Sequence, residues 1–341
     1  MQGLIIEKIS NLYKVQTFGN ISQKFEFSKN IEDTSPKIEF SKNIEDASQK
    51  LEDSKKTKKD SQKIENSKKT VYEATSRGKF KKDEVVPVVG DFVEFQVINE
   101  ETKTAVIEKI INRKVYIKRP KLANLTQLIL VVSSKNPKPD LLLLDKQLAF
   151  ANYLGINAII VLNKTDLDQN EEFKAIKSIY TKIGYEVLET AAKEGIGVEA
   201  LKEKLKNNIN AFAGNSGVGK STLINAIFNK DMTQEGEISQ KNKRGKNTTT
   251  AIKLYEIDEN TFIADTPGFS TFDISEIESK DLYKCFKEFS DENCKYVGCT
   301  HIKEEECGIK QDVSLGKIDE GRYNRFCKIY NELKEGESRK W

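Results

Sequence analysis

The residues from Gly214 to Thr222 read GNSGVGKST and constrain the fold of this chain more than any other stretch. They match G-x-x-x-x-G-K-[ST], in which a glycine-rich loop presents backbone N–H groups to phosphate oxygens. A short apolar run precedes the loop and an amphipathic run follows it, so the context predicts a strand, a loop and a helix. An ordinary glycine turn before a helix is the alternative, but the complete eight-residue pattern favours a nucleoside triphosphate site.

Individual residues of this loop are expected to bind different parts of the nucleotide and its metal ion. Lys220 is expected to contact the β- and γ-phosphates and to stabilise charge in the transition state, which makes it the predicted catalytic residue. The hydroxyl of Ser221 is expected to bind Mg²⁺. The predicted nucleotide contacts in the loop are Gly214, Asn215, Ser216, Gly217, Val218, Gly219, Lys220, Ser221 and Thr222.

Composition bounds the class of protein. The chain has 341 residues, which is room for two or three domains, and a net charge of +3, which is weak evidence for a nucleic-acid partner. It has no run of about 18 apolar residues, so no membrane span is expected. The N-terminus lacks the pattern of a signal peptide, so the sequence predicts a cytoplasmic protein. In that compartment the five cysteines point to metal binding rather than to disulfides.

A second motif follows the apolar run 158–162, which is typical of a buried parallel strand. It consists of Asn163, Lys164, Thr165 and Asp166, at the end of a strand where α/β sheets place ligand residues. A carboxylate there can accept both N–H donors of guanine, a pair that adenine lacks, so the motif predicts GTP rather than ATP. The alternative is a strand-to-helix loop in which Asp166 caps a helix.

A third loop follows the apolar run 185–188 and resembles the second base-contact loop of GTPases, which usually reads Ser-Ala-Lys. Here the residues are Ala191, Ala192 and Lys193. Because Ala191 has no hydroxyl, only backbone contacts to the base are expected from that position.

The switch residues come after the glycine-rich loop. Asp265 and Gly268 form D-x-x-G, in which the carboxylate holds Mg²⁺ and the glycine N–H senses the γ-phosphate. Thr250, the last of three threonines, is expected to complete the Mg²⁺ shell in a switch loop. Phe269 stands where many small GTPases have the glutamine that orients water. The sequence therefore predicts slow intrinsic hydrolysis that needs a partner.

The motifs occur in rotated order. In most GTPases the motifs occur in the order glycine-rich loop, switch threonine, D-x-x-G, N-K-x-D and S-A-K. In this chain N-K-T-D is the first of the motifs and D-T-P-G is the last. A circular permutation preserves the site, because old termini can be joined and new termini opened in a surface loop.

The N-terminal part predicts a β-barrel with an insertion. Residues 3–17 and 71–120 contain short alternating strands, which indicates a barrel of roughly five strands with an OB-fold. Between them, residues 22–70 repeat every 13 positions and build no apolar face, so we expect a disordered insertion. A helical spacer and an RNA-contacting arm remain alternatives. Basic residues around Phe80 suit an RNA-facing loop or a solvated one; they are Arg77, Lys79, Lys81 and Lys82.

The C-terminal part predicts a metal site and a helix. Its ligand set is Cys294, Cys299, His301 and Cys307. Three thiols and an imidazole fill a tetrahedral zinc site and leave no open position, so the zinc is expected to be structural; scattered reduced cysteines are the alternative. Residues 321–340 suit a basic amphipathic helix that contacts RNA or docks onto its own domain.

Together the rotated motifs, DTPGF at 265–269, the cysteine–histidine cluster and PVVGD at 87–91 resemble the RsgA family of GTPases that depend on the small ribosomal subunit. Membership implies an OB-fold barrel (1–117), a permuted α/β GTPase (118–274) and a mostly helical zinc domain (275–341). It also implies hydrolysis stimulated by the small subunit, contact with its rRNA and a role late in its maturation. The protein is expected to be a monomer. Asn247 stands where the family often has histidine.

Two rival functions remain open. One is a non-catalytic RNA-binding switch, which Phe269 and Asn247 favour. The other is a GTPase that acts on another RNA, such as a tRNA.

Overall fold

The computed structural model of the protein describes residues 1–17, 69–78, 80, 85–111, 113–168, 172–228, 252–265, 274–290 and 293–339. Several predictions fall outside these residues: the repeat apart from residues 69 and 70, Asn247, the switch threonines 248–250, the stretch 266–269, and Lys79, Lys81 and Lys82.

Five strands form the N-terminal barrel. They are β1 (Gln2–Ile9), β2 (Leu12–Thr17), β3 (Val71–Ser76), β4 (Phe92–Asn99) and β5 (Thr104–Ile111). Their order is β1-β2-β3-β5-β4, and β4 pairs back with β1, so the sheet closes on itself. Alternate side chains along these strands fill the interior. The predicted five-stranded OB-fold is confirmed.

A small hairpin follows the barrel. Strands β6 (Tyr116–Lys118) and β7 (Lys121–Ala123) pair with each other as a two-stranded sheet, and Leu122 of β7 also forms an isolated parallel bridge with Val89. The sequence analysis predicted that this region belongs to the barrel, because β6 has the same apolar alternation as the barrel strands. The predicted domain limit after residue 117 falls inside the hairpin.

The central sheet has six strands. They are β8 (Gln127–Ser133), β9 (Asn157–Asn163), β10 (Glu186–Thr190), β11 (Ile209–Ala213), β12 (Lys253–Asp258) and β13 (Thr261–Asp265). The order is β10-β9-β8-β11-β13-β12, with only β12 antiparallel to its neighbour. On its far side β12 pairs with β1, where Glu7 lies opposite Lys253, so the barrel continues the sheet.

Helices cover both faces of this sheet. They are α1 (Leu141–Leu154), α2 (Glu172–Lys182), α3 (Val198–Leu205) and α4 (Lys220–Phe228). Along β8, Leu128 and Leu130 join the core that contains α1 and α2, whereas Ile129 and Val131 join the core that contains α3 and α4. Successive strand side chains point to opposite faces, which explains why a continuous apolar run marks a buried strand.

The C-terminal region is mostly helical. It contains a 3₁₀ helix (Ser279–Cys285), α5 (Gly308–Ser314) and α6 (Glu320–Ser338). On α6, Phe326, Ile329 and Leu333 are buried at helical spacing. The sequence analysis left open whether this helix contacts RNA or docks onto its own domain. The face that contains these three residues is packed against the protein.

A buried ionic network fixes α6 to α1. Asp145 of α1 is fully buried and accepts hydrogen bonds from Arg322 and from Arg325 (2.5 Å) and Tyr180 (2.6 Å). Arg322 also donates to Glu288. Burial alone would lower the pKa of Arg322, but the two carboxylates raise it above its ordinary value. Composition alone suggests that the basic residues of this helix all face solvent, but Arg322 is buried.

Among the described helices, none is both long and apolar enough to cross a membrane.

Candidate nucleotide and metal sites

Four of the predicted motifs meet at one edge of the sheet. The loops after β9, β10, β11 and β13 each begin where a parallel strand ends. Carboxyl ends of parallel strands meet at the same edge, which is where open α/β sheets bind ligands. The fold therefore collects N-K-T-D, A-A-K, the glycine-rich loop and the start of D-T-P-G, although they are far apart in the chain.

The glycine-rich loop closes around the amine of Lys220. This residue begins α4, and its Nζ donates to the carbonyl oxygens of Gly214 (2.7 Å) and Asn215 (2.8 Å). Burial lowers the pKa of the Lys220 ammonium below its ordinary value. A partly desolvated cation gains more from an anionic partner than one in water, which suits phosphate binding.

The side chain of Asn163 joins three of the loops. Its Nδ2 donates to the carbonyl of Val218 in the glycine-rich loop (2.9 Å). Its Oδ1 accepts from the hydroxyl of Thr190 (3.0 Å) and from the N–H of Ala192 (3.3 Å). Gly219 must be glycine here, because it has φ +99° and a Cβ would lie 2.3 Å from Asn163 Nδ2. The asparagine and the motif glycine are thus fitted to each other.

Lys164 lies across the glycine-rich loop. Its Nζ donates to the carbonyl oxygens of Gly217 (2.8 Å) and Asn136 (2.5 Å), and the backbone carbonyl of Lys164 accepts from the Ser134 hydroxyl (2.8 Å). Burial, and then the nearby charge of Lys193, lower the pKa of Lys164. With its amine held in this way, the carbon stem is left as the part able to lie along a base.

Asp166 does not cap the following helix. The residue that does so for α2 is Asp168, which accepts from the N–H groups of Glu172 (3.3 Å) and Phe173 (3.2 Å). Asp166 is exposed to solvent in a short 3₁₀ turn that begins at Thr165. The capping alternative is therefore wrong for α2, and the carboxylate of Asp166 stays accessible.

Asp265 ends β13 beside the end of β11. Burial raises the pKa of its carboxyl group, and the charge of Lys253 on the neighbouring strand partly offsets this rise. By its accessible surface Asp265 is nevertheless exposed at this edge of the sheet, so its carboxylate oxygens can be reached by Mg²⁺, which prefers oxygen ligands. Ser221, the other predicted Mg²⁺ residue that the structure describes, is exposed in the first turn of α4. Thr250 and Gly268 lie outside the described residues.

The sequence analysis missed the loop between β8 and α1. Besides Asn136, it supplies Asp140, which accepts from the Asn215 side chain (3.1 Å) and also caps α1 through the N–H of Leu143 (3.0 Å). The signal was available, since this loop also follows the carboxyl end of a buried strand. Thr190 was missed as well, because a lone threonine has no motif to mark it.

The four predicted zinc ligands converge. One ligand atom from each of Cys294, Cys299, His301 and Cys307 lies within 4.8 Å of the other three. His301 Nδ1 is 3.5 Å from the sulfurs of Cys294 and Cys307, which are 4.0 Å apart. A tetrahedron with standard zinc bonds has edges of about 3.6 Å (S to N) and about 3.8 Å (S to S). The residues present therefore fit a zinc ion.

Contacts around this cluster fix its loops. The carboxylate of Glu304 accepts from the N–H groups of Thr300 (3.0 Å) and Ile302 (3.2 Å). Burial alone would raise the pKa of Glu304, but these hydrogen bonds hold it at about 2. The Tyr323 hydroxyl donates to the carbonyl of His301 (2.7 Å), which ties the cluster to α6.

Family models match most of the described chain. A model described as RsgA GTPase matches residues 110–275, and one described as RsgA N-terminal domain matches residues 63–107.

Curated relatives match at high identity. One from Clostridium botulinum (strain Eklund 17B), named Small ribosomal subunit biogenesis GTPase RsgA, is 46% identical over 272 residues, which are 79% of this chain and 92% of the relative. One of the same name from Clostridium perfringens (strain SM101) is 43% identical over 265 residues, covering 77% and 91%.

Two solved structures share the architecture. YjeQ from Thermotoga maritima superposes with a TM-score of 0.72 at 31% identity, covering 97% of this chain and 98% of that one. YloQ, described as a circularly permuted GTPase, superposes with a TM-score of 0.69 at 25% identity, covering 98% and 95%. With the rotated motifs collected at one sheet edge, these matches establish that the chain belongs to the RsgA family of circularly permuted GTPases, enzymes that hydrolyse GTP.

Proposed function

We propose that this protein binds the small ribosomal subunit, hydrolyses GTP faster when bound to it, and acts late in maturation of that subunit. The observation that carries the proposal is the set of hydrogen bonds made by Asn163, which holds three separate loops together at one edge of the sheet and so supports a nucleotide site there. The curated relatives are named for biogenesis of the small subunit, and this supports the choice of partner.

In the proposed mechanism the chain recognises guanine at one end of the site. The carboxylate of Asp166 accepts the two N–H donors of guanine, and the stem of Lys164 lies along the ring. Asn163 and Thr165 hold this loop in position. Ala191, Ala192 and Lys193 bound the base through their backbone.

The phosphates lie at the other end. Backbone N–H groups from Gly214 to Thr222 surround them, and Lys220 turns from the loop carbonyls to the β- and γ-phosphates. Ser221, Thr250 and Asp265 would hold Mg²⁺, which supplies positive charge to the phosphate oxygens. The Gly268 N–H would report the γ-phosphate.

The hydrolytic site is completed by the partner in this proposal. Phe269 has no polar group with which to orient water, so hydrolysis by the free protein is slow. GTP orders the switches, contact with the small subunit completes the hydrolytic site and raises the rate, and the GDP form then leaves the subunit.

The outer regions serve binding. The barrel and the zinc region contact rRNA, and Cys294, Cys299, His301 and Cys307 hold a structural zinc with no open position for catalysis. We further propose a cytoplasmic monomer with a barrel over residues 1–117, a GTPase over 118–274 and a zinc domain over 275–341.

Cosedimentation with isolated ribosomal subunits tests the partner. In the presence of a non-hydrolysable GTP analogue, the protein should pellet with small subunits and not with large ones, and GDP should release it. Equal binding to both subunits, or to neither, would overturn the proposal. Binding to tRNA but not to small subunits would favour a GTPase of another RNA.

A further inference from the structure

The PVVGD turn (Pro87–Asp91) has no role in the nucleotide site, but it is tightly built. Asp91 is fully buried and accepts from the N–H of Val88 (2.8 Å) and from Arg113 Nε (2.7 Å) and Nη2 (2.6 Å). A buried carboxylate held by two nitrogens of one guanidinium has defined geometry as well as charge balance. The turn is therefore a rigid part of the barrel.

This turn fastens the hairpin β6–β7 to the barrel. The N–H of Ala123 donates to the carbonyl of Val89 (2.9 Å), and the side chain of Asn124 donates to the carbonyl of Gly90 (3.0 Å). Gly90 has φ +88°, and a Cβ there would lie 2.0 Å from the carbonyl oxygen of Ala123. Only glycine allows the hairpin to lie this close.

The tip of the hairpin concentrates positive charge. Lys118 and Lys121 are direct cross-strand partners, and Arg119 lies in the turn between them; all three are exposed. Behind the tip, Ile117 and Leu122 are buried. Like charges directly opposite each other on a hairpin are destabilising, so folding alone does not favour this arrangement.

Few of the acidic residues in the described ranges lie close enough to neutralise these cations. Lys118 has an ion pair with Glu276 (3.2 Å). Among the residues that the structure describes, Arg119 and Lys121 have no ion-pair partner. A rigid hairpin thus presents three cations within four residues, and a polyanion would relieve their repulsion.

We propose that Lys118, Arg119 and Lys121 contact the phosphate backbone of RNA. This inference rests on the proposed function, in which the partner is ribosomal. The tip reads KRPK, so its side chains supply positive charge and N–H donors, which suit the phosphate oxygens of a nucleic-acid backbone. It also has no large apolar side chain to insert into a lipid surface.

The test compares the salt dependence of binding to isolated small subunits. The variant K118Q/R119Q/K121Q should bind at least about tenfold more weakly near physiological salt. The slope of log K against log salt should fall by about two, since each phosphate contact contributes about 0.7 to 0.9. The double variant K118R/K121R keeps the charge and should bind like the wild type.

A matched control removes the same charge elsewhere. Lys202, Lys204 and Lys206 each pair with a glutamate on the surface of the GTPase region, so K202Q/K204Q/K206Q should leave both affinity and slope unchanged. Basal GTP hydrolysis should be the same in all variants, and the glutamine variants of the hairpin should unfold at no lower temperature than the wild type, because they lose a repulsion between like charges. The variant R119Q/K121Q keeps the ion pair between Lys118 and Glu276. If the triple variant folds poorly, this double variant should still show more than half of the expected fall in the salt slope.

The outcomes separate the two proposals. Wild-type binding that the hairpin substitutions leave unchanged would overturn this inference and leave the proposed function standing. An equal loss in the control variant would also overturn it, because net charge would then explain the effect. A wild-type protein that does not bind small subunits would overturn the proposed function and this inference together.

Discussion

Asn163 shows how a single amide can connect loops that the chain keeps far apart. An amide has both donors and acceptors, so one side chain can donate to Val218 and accept from Thr190 and Ala192. Aspartate at this position would lack the donor, and leucine would leave all three partners unsatisfied. The residue therefore positions the loops, and in the proposed site it acts through them on the nucleotide.

Replacing Asn163 with alanine should weaken nucleotide binding. The change leaves the buried carbonyl of Val218 and the hydroxyl of Thr190 without this partner, at about 1 to 3 kcal/mol for each unsatisfied group. We expect affinity for GTP and GDP to fall at least about thirtyfold, which corresponds to the lower total of about 2 kcal/mol, measured by titration with a fluorescent nucleotide. Asn157→Ala, at the exposed start of the same strand, is the control and should keep its affinity. Equal affinities would contradict the role of Asn163.

Asp166→Asn should reduce the preference for guanine. The variant loses a charge-assisted contact worth about 1.5 to 3 kcal/mol, so the preference for GTP over ATP should fall about tenfold to a hundredfold. Xanthosine triphosphate has a carbonyl oxygen where guanine has its amino group, and an amide can donate to that oxygen. The variant should therefore bind xanthosine triphosphate better than the wild type does. An unchanged preference for GTP would refute the assignment.

At the scale of elements, α6 is fixed to α1 by charge as well as by apolar contact. Asp145 has no exposed surface and accepts from three donors; Arg322 balances its negative charge and also pairs with Glu288. The cap residue of α1, Asp140, touches Asn215 in the glycine-rich loop. Helix α1, together with its cap residue, thus contacts both the glycine-rich loop and the C-terminal helix α6.

Arg322→Ala should destabilise the C-terminal region. It leaves the buried carboxylate of Asp145 undercompensated, and removal of one partner from a buried pair costs about 3 to 5 kcal/mol. We expect an unfolding transition at lower denaturant concentration, followed by circular dichroism. Lys328→Ala, on the exposed side of the same helix, should shift it little. If both variants unfold like the wild type, the network contributes no stability.

Cys299→Ser should release zinc. The site has four protein ligands and the loss of one thiolate weakens a structural zinc site strongly. We expect about one zinc per wild-type chain and much less in the variant, by metal analysis after gel filtration. Cys327→Ser removes a thiol outside the cluster and should keep its zinc. Unchanged zinc in the Cys299 variant would remove this residue from the ligand set.

For the whole molecule, much of the architecture could be predicted from local patterns. The run 128–132 predicts a buried strand because both faces of β8 are covered, and the glycine-rich loop predicts the strand and helix around it. The four cysteine and histidine residues that converge in the C-terminal region were evident from residue type and spacing. These features are local in sequence, so one segment contains the information.

The features that the sequence did not predict are pairings between distant segments. Strand β1 pairs with β12 where Glu7 lies opposite Lys253, and no local pattern specifies this pairing. The hairpin β6–β7 has the alternation of a barrel strand, and only its contact with Val89 and Gly90 distinguishes it. Arginine is a residue type that usually lies at the surface, and the ion pairs with Asp145 and Glu288 explain why Arg322 is buried.

Steady-state GTP hydrolysis by the purified protein, alone and with each ribosomal subunit, tests the central claim most directly. We predict slow turnover by the free protein, a rise of about tenfold or more with small subunits, and no rise with large subunits. Lys220→Ala should abolish the stimulated rate. Equal turnover with and without small subunits, under conditions where GTP is bound, would contradict a subunit-stimulated GTPase and favour a binding switch.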